Sequence, residues 1–184
     1  MRAAGEEYLK DYKNFHSIDG SAEATTLDDE SIDMITVGAA FHWFDMKKTK
    51  IEFNRILKRG AWVILVWEIR CIDRSSLMRD YEALLLKYSK DYKESNARKL
   101  DDTEFAKFYS PNEMHIKTFK NLQRFDWEGL KGRLLSISYS LRSGDARYEE
   151  MLVELKQIFD KYQKSGKKID YLYDTKVNYG HIHD

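Results

Sequence analysis

The chain has a single cysteine and a single proline in 184 residues, and its 31 basic side chains are matched by 31 acidic ones. One cysteine, Cys71, excludes an internal disulfide framework and fits a reducing, cytosolic setting. A net charge of zero gives no electrostatic footprint for nucleic acid or for an anionic membrane surface. No apolar run approaches the roughly 20 residues that a membrane-crossing helix needs. The opening stretch MRAAGEEYLK is charged and helical in pattern, unlike a signal peptide. A P-loop, a nucleophile elbow and paired-cysteine zinc spacing are all missing. His181 and His183, with Asp184, could chelate a metal, but two histidines at a chain end read as a frayed tail, and no metal is expected. Pro111 is the lone proline, and there is no low-complexity linker or internal repeat. Residues 1–184 therefore read as one domain, long enough to bury a core.

What is present is organised around Ser31 to Trp67. Ile32 to Val37 is almost continuously apolar, which suits a strand covered on both faces in a parallel sheet. The turn Ala39-Ala40-Phe41-His42-Trp43-Phe44 then exposes large aromatics and a histidine where the strand ends. Ligands in open α/β sheets sit at the carboxyl ends of strands. Asp45 is a good N-cap, and Met46, Thr49, Phe53, Ile56 and Leu57 form the inward stripe of a helix. Gly60 is expected to stop that helix, and Ala61 to Trp67 forms a second buried strand, completing a βαβ unit.

Before this unit, residues 1–12 read as a helix and Asn14 to Ile18 as a short strand. The latter ends in the acidic turn Asp19-Gly20-Ser21-Ala22-Glu23. That turn could accept hydrogen bonds from a purine amino group, or it could be a solvated loop. After the unit, Ser75 or Ser76 caps a helix whose stripe is Leu77, Tyr81, Leu84, Leu85, Tyr88 and Tyr92. Residues 93–113 are highly charged and read as a partly helical surface insertion. Met114 to Phe125 reads as a strand, Asp126 caps a short helix, and Asp145 caps a longer one with Tyr148, Met151, Leu152, Leu155, Ile158, Phe159 and Tyr162 inward and Gly166 at its end. Strict alternation from Ile169 to Tyr179 predicts a half-exposed antiparallel strand at or near a sheet edge. The alternation of elements implies an α/β fold with a mostly parallel sheet.

The run DGSAEATTLDDESIDMITVGAAFHWFD, followed by LKRGAWVILVW, resembles the class I S-adenosylmethionine-dependent methyltransferases of the small-molecule "type 11" kind. FKNLQRFDWEGLKGRLLSISYSL and the closing YDTKVNYG are similar to members with a substrate-covering C-terminal segment, here about 126–184. The resemblance implies a Rossmann-like sheet with flanking helices, S-adenosyl-L-methionine as cofactor and a small-molecule acceptor. It implies that Asp19, Ser21, Ala22 and Glu23 contact the adenine, and that Phe41, His42 and Trp43 lie beside the sulfonium methyl. His42 and Trp43 are then the catalytic candidates. His42 could take a proton from the nucleophile, its ordinary pKa being near neutrality, or it could be a packed histidine. Tyr139, and with it Arg133 and Ser138, would face the acceptor.

Two features of the family pattern have no counterpart here. None of the nine glycines forms a G-x-G pair, so the glycine-rich loop that cradles the methionine moiety is missing, as is the second strand with its ribose-binding acid. MRAAGEEYL matches the helix that follows that strand, about fifty residues into the pattern. Lys58-Arg59-Gly60-Ala61 also replaces the usual K-P-G-G turn. The expectation is an N-terminally truncated fold lacking its first two strands, with weak cofactor binding by these residues alone. The alternative is a catalytically silent remnant that self-associates, because the strand 33–40 would present an uncovered edge to a second copy. A homodimer is expected in either case.

Overall fold

The computed structural model describes residues 2–89, 92, 101–164 and 166–183. In chain order these form α1 (Arg2–Leu9), β1 (Ile32–Gly38), α2 (Met46–Ile56), β2 (Leu57–Arg70), α3 (Ser76–Tyr88), α4 (Asp102–Tyr109), β3 (His115–Phe125), α5 (Trp127–Leu135), α6 (Tyr148–Tyr162) and β4 (Ile169–Gly180). Short 3₁₀ turns occupy Phe41–Trp43 and Ile72–Arg74. No helix among the described residues is long and apolar enough to cross a membrane.

Helix starts follow the local chemistry of the sequence. Asp45, Ser75, Asp101 and Asp126 each accept a main-chain N–H of the following turn, satisfying donors that the helix itself leaves open. Asp145 behaves differently. Its carboxylate accepts the Arg142 N–H at 2.6 Å, closing the preceding turn, and α6 begins after Arg147 without a side-chain cap. That helix ends at Tyr162, and Gly166 turns the chain beyond it with φ +83°.

Gly60 does not end α2, which stops at Ile56 and passes directly into β2. The glycine lies inside the strand at φ +72°, a left-handed conformation that side chains with a Cβ disfavour. Ile32 pairs with Leu57 and Met34 with Trp62, so β2 carries three more residues than β1 over this interval. Gly60 makes that bulge possible.

The sheet order is β1-β2-β4-β3. β1 and β2 are parallel, whereas β4 is antiparallel to both β2 and β3. The described sheet is thus not mostly parallel; β4 is antiparallel, as expected, and lies one strand in from the β3 edge. Its alternation has a further cause, since its two faces serve two cores. Ile169, Tyr171 and Tyr173 are buried with α3, α5 and α6 on one face. On the other face, odd-numbered residues of β2 (Ala61, Val63, Leu65) join Val37, Phe41, Phe53 and the aromatic stripe of α4. Tyr109 ties this second core to the sheet, its buried hydroxyl lying 3.2 Å from the Val63 carbonyl oxygen and 3.0 Å from that of Asn178. β3 is one edge, and the lysines and arginine along it (Lys117, Lys120, Arg124) discourage further pairing.

Three other expectations change. Asn14 to Ile18 forms no strand and is exposed coil. α1 has no buried residue and is held to this coil by polar contacts, Arg2 to Asp19 and Ser17 Oγ to Glu6 at 2.5 Å. The expected surface insertion falls partly outside the described residues. Within them, α4 is a core element, with Phe105, Phe108 and Tyr109 buried. The C-terminal histidines are not frayed either. Ile182 is buried between them, while His181 Nδ1 lies 3.1 Å from the Ala61 carbonyl oxygen and His183 Nε2 lies 3.2 Å from that of Leu57.

Candidate active site

β1 ends at Gly38, opposite Val66 of β2, which runs on to Arg70; the Ala39 N–H donates to the Val66 carbonyl at 2.9 Å. The chain then turns sharply, and the turn is fixed by Phe41. Its ring is fully buried and packs on Phe108 (4.7 Å between centroids), Phe44 (5.7 Å) and Phe105 (5.9 Å). The exposed-aromatic reading of this turn therefore fails for Phe41, which can offer a ligand only its main chain. It holds for Trp43, which is 69% exposed. His42 sits between them, half-buried, with its ring 4.6 Å from Trp43 and 5.3 Å from Trp67. Two polar atoms here, His42 Nδ1 and Trp67 Nε1, are buried with no hydrogen-bond partner among the described residues. A cleft of about 290 Å³ opens beside Trp67, bounded by Glu68, Ile69, Asp102, Phe105 and Lys176.

Burial lowers the pKa of His42 from its ordinary 6.5, so the imidazole is neutral at pH 7. The native chain then binds this proton less readily than the unfolded chain does. Stability is full above pH 6.5 and falls as the pH drops from there toward the depressed value. A thermal-melt series from pH 7 to pH 5 should show a loss that His42→Gln removes. An unchanged slope in the variant would assign the loss to other groups.

The acidic loop lies against this turn. Glu23 Oε1 accepts the Asp45 N–H at 3.0 Å, joining residues 22 positions apart. This bond, and then the Ser21 hydroxyl, hold the Glu23 carboxyl below the usual carboxylate range. Ser21 and Ala24 exchange main-chain hydrogen bonds at 3.2 Å, and Ala22 packs against the core that contains Phe41. Asp19, at the loop's start, is exposed and paired with Arg2. Behind the loop, Glu52 of α2 receives both the N–H and the hydroxyl of Thr25, at 2.7 and 2.6 Å.

The remaining candidates lie on the opposite sheet face. Arg133 is half-buried, its Nε donating to the Tyr173 hydroxyl at 3.0 Å. Tyr139 packs on Tyr92 at 5.1 Å, and Ser138 is exposed. The structure thus brings Ser21–Glu23 together with His42–Trp43, and Arg133 together with Tyr173. No hydrogen bond or ring contact among the described residues joins the two groups. Trp67, Glu52 and Arg70 complete these surroundings and were not anticipated. Trp67 reads as the last strand residue, Arg70 lies beyond the expected strand and Glu52 outside the expected inward stripe, and nothing local marks them otherwise.

Residues 1–65 match the family described as "Methyltransferase domain". An uncharacterized methyltransferase of Schizosaccharomyces pombe is 41% identical over 61 residues, 32% of this chain and 24% of that protein. A methyltransferase-like protein of the same yeast is 35% identical over 82 residues, 43% of this chain and 32% of its own length. The chain spans about a quarter to a third of the length of these curated relatives. Among solved structures, an Anaeromyxobacter dehalogenans protein assigned as a type II methyltransferase superposes with a TM-score of 0.58 at 16% identity, over 89% of this chain and 70% of that one. The YcgJ protein from Bacillus subtilis gives 0.54 at 18% identity, over 100% and 79%. At such identities the likeness concerns the fold alone, which resembles the Rossmann-like folds of methyltransferases. The family match is confined to residues 1–65, about the first third of the chain.

Proposed function

We propose that the protein transfers a methyl group from S-adenosyl-L-methionine to a small-molecule acceptor. The observation that carries this reading is the junction of the 19–25 loop with the 41–45 turn through Glu23 and Asp45, at the carboxyl end of β1 and beside the parallel β2. Bound there, the cofactor supplies an electrophilic methyl on a sulfonium. The residues present suit its adenine and methyl ends. Ser21, Ala22 and Glu23 line the purine side with Asp19 at the rim. Trp43 offers an exposed aromatic face to a cation. His42 Nδ1 is an unpartnered polar atom beside them. Methyl transfer needs nucleophile, carbon and sulfur in line, so holding the reactants in place is the main task of these side chains. A neutral His42 can accept the proton of a hydroxyl acceptor, whereas a carboxylate acceptor is already ionised at pH 7 and needs no base.

In the same reading, residues 126–184 cover the acceptor, the buried free thiol of Cys71 suits the cytosol, and the chain is a homodimer. The support for the dimer is the outer side of β1, which has no ladder partner among the described strands and whose Met34 is exposed.

Titrating ¹⁵N-labelled protein with S-adenosylhomocysteine tests the assignment. Millimolar ligand should shift the amides of Ser21–Glu23 and His42–Trp43 and the indole N–H of Trp43. Shifts confined to other elements, or none, would remove the basis for placing the cofactor here.

A further inference from the structure

Past the end of β1, the strand β2 continues from Trp67 to Arg70 and forms an apolar shelf. Trp67 and Ile69 point to one face of the sheet, which they share with their ladder neighbours Lys176 and Asp174 of β4. The Trp67 ring is half-buried and lies 5.8 Å from Phe105 of α4, while Ile69 is 44% exposed. Between this shelf and the first turn of α4 lies the cleft of about 290 Å³. Sites for small organic ligands run from roughly 300 to 1,000 Å³, so this one suits a molecule of one or two rings.

The charges that face the cleft are already matched. Lys176 reaches from β4 to the Asp102 carboxylate, and the two form an ion pair at the mouth. Asp101 turns to its own helix, accepting the Glu104 N–H at 2.9 Å beside the positive end of the helix dipole. Asp174 is held by both terminal nitrogens of Arg74 at 2.7 Å. Glu68 also borders the cleft, but strand alternation turns its carboxylate to the opposite face, 3.5 Å from the Asn121 amide nitrogen. A ligand bringing its own charge would leave it unpaired against apolar walls, a cost that an uncharged molecule avoids. Trp67 and Phe105 offer aromatic surface, to which a flat ring is the complementary body.

We propose that this cleft seats the acceptor, and that the acceptor is a flat, uncharged molecule bearing an aromatic hydroxyl. The proposal rests on the methyltransferase reading, which places the acceptor near His42. The His42 ring packs on the same indole at 5.3 Å, so one wall of the cleft also positions the base. A hydroxyl on an aromatic ring titrates at about 10, as tyrosine does, and keeps its proton at pH 7. It therefore needs the base that a carboxylate does not. The oxygen takes the methyl as its proton passes to the neutral His42, and the sulfur keeps the electron pair of the bond that breaks. Lys176 and Asp102, by satisfying one another, disfavour charged competitors.

Probes of similar shape test this: naphthol, naphthoate, naphthylmethylamine and the saturated decahydronaphthol. The Ile69 δ1 methyl and the Trp67 Nε1–H signals, assigned by their loss in I69V and W67F, report on the cleft in the unaltered protein. Naphthol should shift both and saturate. The carboxylate, the ammonium and the saturated alcohol should each bind about tenfold or more weakly. I69D, at an exposed position, should weaken naphthol by about tenfold, because it puts a charge in the apolar wall. The ion pair gives a sharper test. K176M leaves Asp102 without its cation and should admit naphthylmethylamine as its ammonium, whereas D102N frees Lys176 and should admit naphthoate. Unmoved signals, equal binding of all the probes, or charge variants with an unaltered preference would overturn the proposal. S-adenosylhomocysteine added to the same sample separates the two readings. Shifts at Ser21–Trp43 with a silent cleft leave the methyltransferase assignment standing and remove the acceptor site. Naphthol shifts with no response to S-adenosylhomocysteine keep the preference of the cleft and remove the cofactor assignment.

Discussion

Phe41→Ala should destabilise the protein by about 3–5 kcal/mol, the range for deleting a fully buried aromatic ring. Trp43→Ala, two positions along, should change stability by less than about 0.5 kcal/mol, because the indole is largely exposed. The contrast follows from what each ring touches. Phe41 meets Phe44, Phe105 and Phe108 edge-on or tilted and is the point at which the turn is anchored to α4. Removing it opens a cavity that these neighbours can only partly fill. A loss of 3–5 kcal/mol is a large share of the roughly 5–15 kcal/mol by which domains are stable. Urea unfolding of the two variants measures both numbers. S-adenosylhomocysteine shifts should be retained in position but weakened in Trp43→Ala. A Phe41→Ala variant as stable as the wild type would mean that the ring is not packed as described.

Glu52→Ala should have the second largest effect, a loss of about 2–3 kcal/mol, or roughly 4–12 °C in Tm for a chain of this length. Glu52 is buried on α2, and its carboxylate does two jobs. It pairs with Arg55 of the same helix at 2.8 and 3.0 Å, and it receives the N–H and hydroxyl of Thr25. Arg55, and then the Thr25 hydroxyl, bring its pKa from 4.5 down to about 2. The carboxyl is therefore more acidic in the native chain than in the unfolded one. Its contribution is complete above pH 4.5 and disappears as the pH falls toward 2. Glu52→Gln keeps an acceptor for Thr25 but gives up the ion pair, so it should lose less than Glu52→Ala and flatten the acid limb of the stability curve. Because Thr25 follows directly on the Ser21–Ala24 turn, the alanine variant should also speed amide hydrogen exchange across residues 21–27. Unchanged exchange there would mean that the loop is held by the Glu23–Asp45 bond alone.

Both effects concern side chains whose importance has little local trace. Phe41 stands in a run of aromatics, and nothing in AFHWF distinguishes the ring that goes inward from the one that stays out. The choice is made by α4, more than sixty residues later, whose Phe105 and Phe108 provide the socket. Glu52 reads as a surface residue of an amphipathic helix, and becomes a tether only because Thr25 is folded back onto it. Arg70 likewise ends an apolar strand, and only the pairing with β4 and the packing of α3 and α5 give it Glu82, Tyr173 and Arg133 as surroundings.

By itself the sequence determined what depends on neighbours a few residues away. The βαβ unit at 32–67, the caps at Asp45, Ser75 and Asp126, and the inward stripes of α2, α3 and α6 follow from periodicity and from side chains bonding their own backbone. The family resemblance of the loop and turn, at Asp19–Glu23 and Phe41–Trp43, was also legible, since it lies in contiguous residue types. The tertiary structure alone decided the placement of β4 between β2 and β3, the bulge that moved Gly60 from a helix end into a strand, and the coil at 14–18. It also decided which candidate side chains meet. The physical reason is common to all of these. An alternating strand can satisfy its hydrogen bonds beside any suitable partner, and a polar side chain can stand in water or against a distant mate. The selection among those options is made by contacts between residues far apart in the chain.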